Sequence, residues 1–186
     1  MRLFTVGHSN HERDHFVGLL HSHDIQVVAD IRSWPASRHV PWADSKALAI
    51  SLRKSGIRYA FLGDQLGGRP DDPDAYNEAG RVLYGRVAAS AAFQAGIDRL
   101  MQGISAFRIA VMCSEENPEH CHRRLLVAKV LAERGVTIEH MRGDGRLEKE
   151  ENVVAPEGLL FANEDHWWIS TRSVSRRRPR RTSSAA

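Results

Sequence analysis

A chain of 186 residues, 42% hydrophobic and 26% charged, is long enough to bury one sizeable core, and its composition argues against disorder or a membrane-embedded class. The formal charge of +3 is uneven. Arg172, Arg176, Arg177, Arg178, Arg180 and Arg181 follow Ser170 with no acid among them, so the rest of the chain carries −3 and lacks the basic face of a domain that grips phosphate backbones throughout.

Leu3 to Val6 reads as a strand ended by Gly7-His8-Ser9-Asn10, and Phe16, Leu19 and Leu20 then recur at helical spacing. Ile25 to Ile31 reads as a second strand, broken at Trp34-Pro35, with Asp30, Arg32 and Arg38 at or beyond its end. Leu48 and Leu52 suggest a helix stopped by Gly56, and Arg58 to Leu62 a third strand. Gly67-Gly68-Arg69-Pro70 opens a polar stretch, where paired glycines would permit positive φ. From Gly80 to Gln102 the pattern allows one long or two shorter helices, and Phe107 to Met112 is the clearest buried strand. A helix with Leu125, Ala128, Leu131 and Ala132 on one face then leads through Gly135 to a fifth strand, Thr137 to Met141. Trp167 and Trp168 either cap the body or lie exposed.

Strands and helices alternate throughout, which predicts a single α/β domain over 1–170: a mostly parallel sheet with helices on both faces, a Rossmann-like three-layer sandwich. The segment 171–186 reads as a disordered Arg-rich tail, able to hold nucleic acid non-specifically or simply to aid solubility. No apolar run reaches the ~18 residues of a membrane helix, and the first strand turns polar before a signal-peptide core could form. Two cysteines are too few for a disulfide scaffold. The expectation is a cytoplasmic protein without a membrane partner.

In a parallel sheet, ligands bind beyond the carboxyl ends of the strands, so the polar clusters after Val6, Ile31, Leu62 and Met112 should converge on one rim. The segment Cys113 to Arg123 carries the most chemistry, and it has several readings. Cys113 or Cys121 can be a nucleophile favoured by a helix N-terminus and Arg123, although Glu115, Glu116 and Glu119 would repel a phosphate dianion. Cys113, Cys121 and His122 can hold zinc, although adjacent Cys121 and His122 are awkward as joint ligands. Both cysteines can equally be buried packing residues. Another reading is acid/base work by Glu115 or Asp30, with Arg32, Arg38, Arg69 and Arg123 holding an anionic substrate. Gly7, His8, Ser9 and Asn10 could meet an anion at a helix N-terminus, or Ser9 or Asn10 could cap that helix. Trp34, Trp42 and Tyr59 could stack on a base or belong to the core.

Thr5-Val-Gly-His-Ser-Asn10, Asp30-Ile-Arg32 with Pro35-x-Ser-Arg38, Leu66-Gly-Gly-Arg69, and Cys113-Ser-Glu115 with Pro118-x-x-Cys121-His-Arg123 resemble the signature blocks of the domain-of-unknown-function family 488, in order over Arg2 to Arg142. The resemblance implies a compact α/β domain, mainly bacterial and archaeal, without an established activity. The residues at the strand ends, rather than the resemblance, give the functional reading: an enzyme or enzyme-like binder of a phosphate-bearing ligand, nucleotide or nucleic acid, in a strand-end pocket. Ligand contacts would come from Gly7, His8, Ser9, Asn10, Arg32, Arg38, Gly67, Gly68, Arg69 and Arg123, and chemistry from Glu115, Asp30, Cys113, Cys121 and His122. Its rivals are a non-catalytic module for nucleic acid or protein, and a thiol- or metal-based redox sensor.

Overall fold

The computed structural model describes residues 1–37, 39–152 and 168–172. Arg38, Trp167, the arginines from Arg176 onward and the expected disorder of the tail beyond Arg172 lie outside the described residues.

β1 (Arg2–Gly7), β2 (Val27–Asp30), β3 (Arg58–Phe61), β4 (Ile109–Cys113) and β5 (Thr137–Met141) are mutually parallel, and β6 (Leu147–Lys149) runs antiparallel to β5 at one edge. The order is β3-β2-β4-β1-β5-β6. Alternate strand residues feed two separate cores, as the two-residue side-chain period requires. Val27, Ala29, Ile109, Val111 and Ile138 meet Phe93, Ile97 and Leu100 of α5 (Ala91–Ala106) and Leu131 of α6 (Lys129–Glu133). Phe4, Val6, Val28, Ala110 and Met112 meet Phe16, Leu19 and Leu20 of α1 (Arg13–Ser22) and Leu48 and Leu52 of α2 (Ser45–Lys54). Both sides of β1, β2 and β4 are therefore dry, which accounts for their unbroken apolar runs.

The crossovers through α1 and α2 step along the sheet one way, and those through α5 and α6 step back over the opposite side, which keeps every crossover the same hand. That winding leaves β4 between β2 and β1. Asp30 pairs in register with Met112 and Gly7 with Cys113, so the chain leaves the sheet at three adjacent places on one rim. No helix among the described residues is long and apolar enough to cross a membrane.

Local details sharpen the sequence reading at some points, such as the choice of two helices over Gly80 to Gln102, and correct it at others. Short helices α3 (Gly63–Leu66) and α4 (Tyr84–Ala89) precede α5, and the Gly80 to Gln102 segment divides at Ser90, whose hydroxyl caps α5 by accepting from Phe93 N. The helix after Cys121 opens with a π-helical stretch, Arg123–Ala128, whose wider turn shifts the buried face: Leu126, Val127 and Leu131 are buried while Ala132 is exposed. Gly56 and Gly135 do end their elements with positive φ, of 75° and 80°. Gly67 and Gly68 do not have positive φ, and their role is close approach.

Candidate functional site

Cys113 ends β4, and the loop that follows is fastened on every side. The amides of His8 and Ser9 donate to the carbonyls of Cys113 and Ser114 at 3.0 and 2.8 Å. Gly7 allows this, because a Cβ there would overlap the Glu115 carbonyl. Those amides are thus spent on the loop rather than offered to an anion, and the residue at the α1 N-cap is Glu12, so neither Ser9 nor Asn10 caps it. Arg123 is wholly buried; its Nη1 and Nη2 donate to the carbonyls of Glu115 and Glu116, and its Nε to Thr5 Oγ1 at 3.2 Å. Thr5 Oγ1 in turn donates to His140 Nδ1 at 2.7 Å, and His140 Nε2 donates to Glu150 at 2.7 Å, so the loop rests on a polar chain that crosses β1 and β5. The Glu116 carboxylate accepts from Arg142 Nε and Nη2 and from Gly143 N at 2.9 to 3.0 Å.

On this support Cys113, Cys121 and His122 come together, with Sγ and Nδ1 atoms all within 4.8 Å of one another. His122 Nδ1 lies 3.6 Å from Cys113 Sγ and 4.0 Å from Cys121 Sγ, while its Nε2 donates to the Ile31 carbonyl at 3.2 Å. That bond assigns the Nε2 proton to Ile31 and turns Nδ1 toward the sulfurs. The hydrogen bond from Cys121 outweighs burial and, with the nearby imidazolium of His122 and guanidinium of Arg123, holds the Cys113 thiol well below the ordinary range. Burial pushes Cys121 well up, and the negative charge on Cys113 adds to this. Burial would lower His122, but the Cys113 thiolate overcomes it and raises the imidazole.

Above the trio is a cavity of about 300 Å³, lined by Cys113, Cys121, His122 and Glu115 together with Arg32, Trp34, Gly68, Arg69, Tyr84, His120, Ser170 and Arg172. The Arg69 guanidinium lies over the Trp34 ring, 5.9 Å from its centroid. Glu115 is half-exposed, and Arg172 Nη1 approaches its Oε1 at 3.8 Å. Burial and the Cys113 thiolate raise the Glu115 carboxyl, suiting it to exchange protons nearer neutral pH.

Behind the wall, Arg32 grips Asp30 with Nε to Oδ1 at 2.9 Å and Nη2 to Oδ2 at 2.7 Å, both side chains almost fully buried. Asp30 also accepts from the Arg32 amide and from Tyr59 OH at 2.8 Å. Arg32 Nη2 reaches the Ala43 carbonyl, and Nη1 donates to His8 Nε2 at 3.1 Å. Burial and neighbouring Arg32 lower His8, which keeps its imidazole neutral as the acceptor in that contact. Trp42 packs on Phe16 and donates from Nε1 to the His11 carbonyl, a core role.

Of the residues singled out from sequence, the cavity brings together Cys113, Cys121, His122, Glu115, Arg32, Gly68 and Arg69. Gly7, His8, Ser9, Asn10, Asp30, Gly67 and Arg123 are absent from its lining, and several of them hold its frame instead. Tyr84, Ser170 and Arg172 were missed. Ser170 exchanges hydrogen bonds with Val82, and Trp168 Nε1 donates to the Leu125 carbonyl, so Arg172 returns with the body of the domain rather than with the tail.

The family model for the domain of unknown function DUF488 matches residues 12–130. The chain belongs to the DUF488 family. The DUF488 match holds β2, β3, β4 and the whole Cys113 to Arg123 loop, whereas Thr5 to Asn10 precede it and Ser170 and Arg172 follow it. Comparison with curated proteins and with solved structures gave no match.

Proposed function

We propose that this domain is an enzyme or enzyme-like binder that takes a small phosphate-bearing ligand, a nucleotide or a fragment of one, at the carboxyl ends of β1, β2 and β4. The observation that carries the reading is the convergence of Arg69, Arg172 and Trp34 over the Cys113 and His122 pair in one cavity of about 300 Å³. That volume is at the lower end for small-molecule pockets, which favours a mononucleotide or terminal nucleotide over a duplex. Arginine binds phosphate bidentately, and the Trp34 face offers a base a stacking surface. Cys113, Cys121 and His122 form the floor of the pocket, and Glu115 supplies the proton transfer. Asp30 is instead assigned to holding Arg32, because all its bonds are internal.

The finer fold reading, a Rossmann-like three-layer sandwich, is supported by the two-sided burial of β1, β2 and β4, and it fits a ligand outside the strand ends. A cytoplasmic location is supported by two free cysteines held close together, a pairing that a reducing compartment preserves.

A thermal-shift panel on the full chain tests the function, with inorganic phosphate, sugar phosphates, mononucleotides and short oligonucleotides as probes. Stabilisation by one class that disappears in Arg69→Ala and Arg172→Ala is the expected result. Equal stabilisation of wild type and both variants, or none for any probe, rejects the pocket as the ligand site.

A further inference from the structure

We infer that Cys113, Cys121 and His122 form a zinc site, with its remaining coordination position supplied by a molecule in the cavity. A tetrahedral ion with bonds of about 2.3 Å to sulfur and 2.0–2.1 Å to nitrogen spaces S and N ligands by about 3.6 Å. The two Sγ to Nδ1 distances are 3.6 and 4.0 Å, so two of the three edges between protein donors already stand close to that spacing, and the third, between the sulfurs, is no longer than 4.8 Å. Residues adjacent in sequence are poor joint ligands when their side chains diverge. Here, past the turn closed by the Cys121 N to Pro118 carbonyl bond, the two side chains meet instead, with Cys121 Sγ 4.0 Å from His122 Nδ1.

The surroundings match what a metal-bound histidine needs. Its second nitrogen donates to the Ile31 carbonyl, which fixes Nδ1 as the ligand atom, a support usual for metal-bound imidazole. Gly68 packs against the ring from the other side, at a distance where a Cβ would be 2.8 Å from Nδ1. Two thiolates and an imidazole are soft to borderline donors that select zinc over magnesium or calcium, and two thiolates neutralise a divalent cation in a buried place. Three protein ligands opening on a cavity is the arrangement of reactive rather than purely structural zinc. Bound there, zinc would supply a Lewis acid facing any molecule the cavity admits.

The test uses the full chain, purified without chelator, with zinc measured by elemental analysis. Stoichiometric zinc is expected in wild type, and background zinc in Cys113→Ser, Cys121→Ser and His122→Ala. Cobalt titration of the zinc-stripped wild type decides if those variants do not fold. Intense visible bands of tetrahedral cobalt, with sulfur-to-metal charge transfer in the near ultraviolet, support the site. Background zinc in wild type together with a weak octahedral cobalt spectrum overturns it, and so do thiols that react with Ellman's reagent at the same rate with and without zinc, as a metal-free dithiol would. Neither readout involves a phosphate-bearing ligand, so the zinc site and the ligand pocket stand or fall separately.

Discussion

Gly68 and His122 are packed so closely that a Cβ on the glycine would come within 2.6 Å of the imidazole Cγ. The ring is also bonded to Ile31, so it cannot yield without leaving Cys113. Gly68→Ala should therefore cost about 1–3 kcal/mol through overpacking and should also remove bound zinc. Gly18→Ala is the matched control: nothing lies within 4 Å of a Cβ there, and alanine within α1 should be neutral or stabilising by up to about 1 kcal/mol. Urea denaturation and elemental analysis of both variants check this. A Gly68→Ala protein with wild-type stability and zinc content would contradict it.

Arg123 and Glu115 are neighbours in the loop with opposite duties. Each charged hydrogen bond of buried Arg123 is worth about 1.5–3 kcal/mol, so Arg123→Ala should lose more than about 3 kcal/mol or fail to fold. Glu115→Gln should stay within about 0.5 kcal/mol of wild type, as exposed sites do, while weakening whatever turnover the site performs. The reverse order of stabilities in denaturant titrations would exchange their roles.

Asp30 offers a sharper contrast, because a carboxylate at a strand end can be either a catalyst or a strut. With Arg32 left unpaired in a buried place, Asp30→Ala should cost about 3–5 kcal/mol. Tyr59→Phe removes one neutral donor from the same carboxylate and should cost about 1 kcal/mol. An Asp30→Ala protein as stable as wild type but unable to act on its ligand would restore Asp30 as a catalytic group.

The anchor at Glu116 has a pH signature. Burial raises the Glu116 carboxyl, but Arg142 and the Gly143 amide overcome this and leave it below its ordinary value of 4.5. A depressed carboxyl contributes stability above its unfolded value and loses it as pH falls through the folded one. The gap in melting temperature between wild type and Glu116→Gln should therefore be constant above about pH 4.5 to 5 and close as the pH falls below that. A gap unchanged down to pH 2 would show that the Arg142 and Gly143 contacts do not select the charged form.

The sheet was legible because β1, β2 and β4 are buried on both sides and read as apolar runs, and because Gly56 and Gly135 end their elements with the positive φ that favours glycine. β6 was not legible: Leu147-Glu148-Lys149 is a short polar edge held by pairing with β5, which leaves no periodic signal. The cysteine loop announced itself by composition, but the division of labour within it did not. Whether an arginine faces a ligand or a carbonyl depends on the path of the backbone, which is why Arg123 and Arg69 look alike in sequence and serve different ends. Arg172 was hidden for another reason. It belongs by composition to an arginine-rich tail, and only the contacts of Trp168 and Ser170 bring it to the cavity.

Calorimetric titration of the full chain with the probe that stabilises it best would test the ligand pocket most directly, with Arg69→Ala and Arg172→Ala titrated alongside. Saturable binding that weakens at least about tenfold, or about 1.4 kcal/mol, in each variant is the expected result. Saturable binding of equal strength in all three proteins would place the ligand elsewhere and contradict the account.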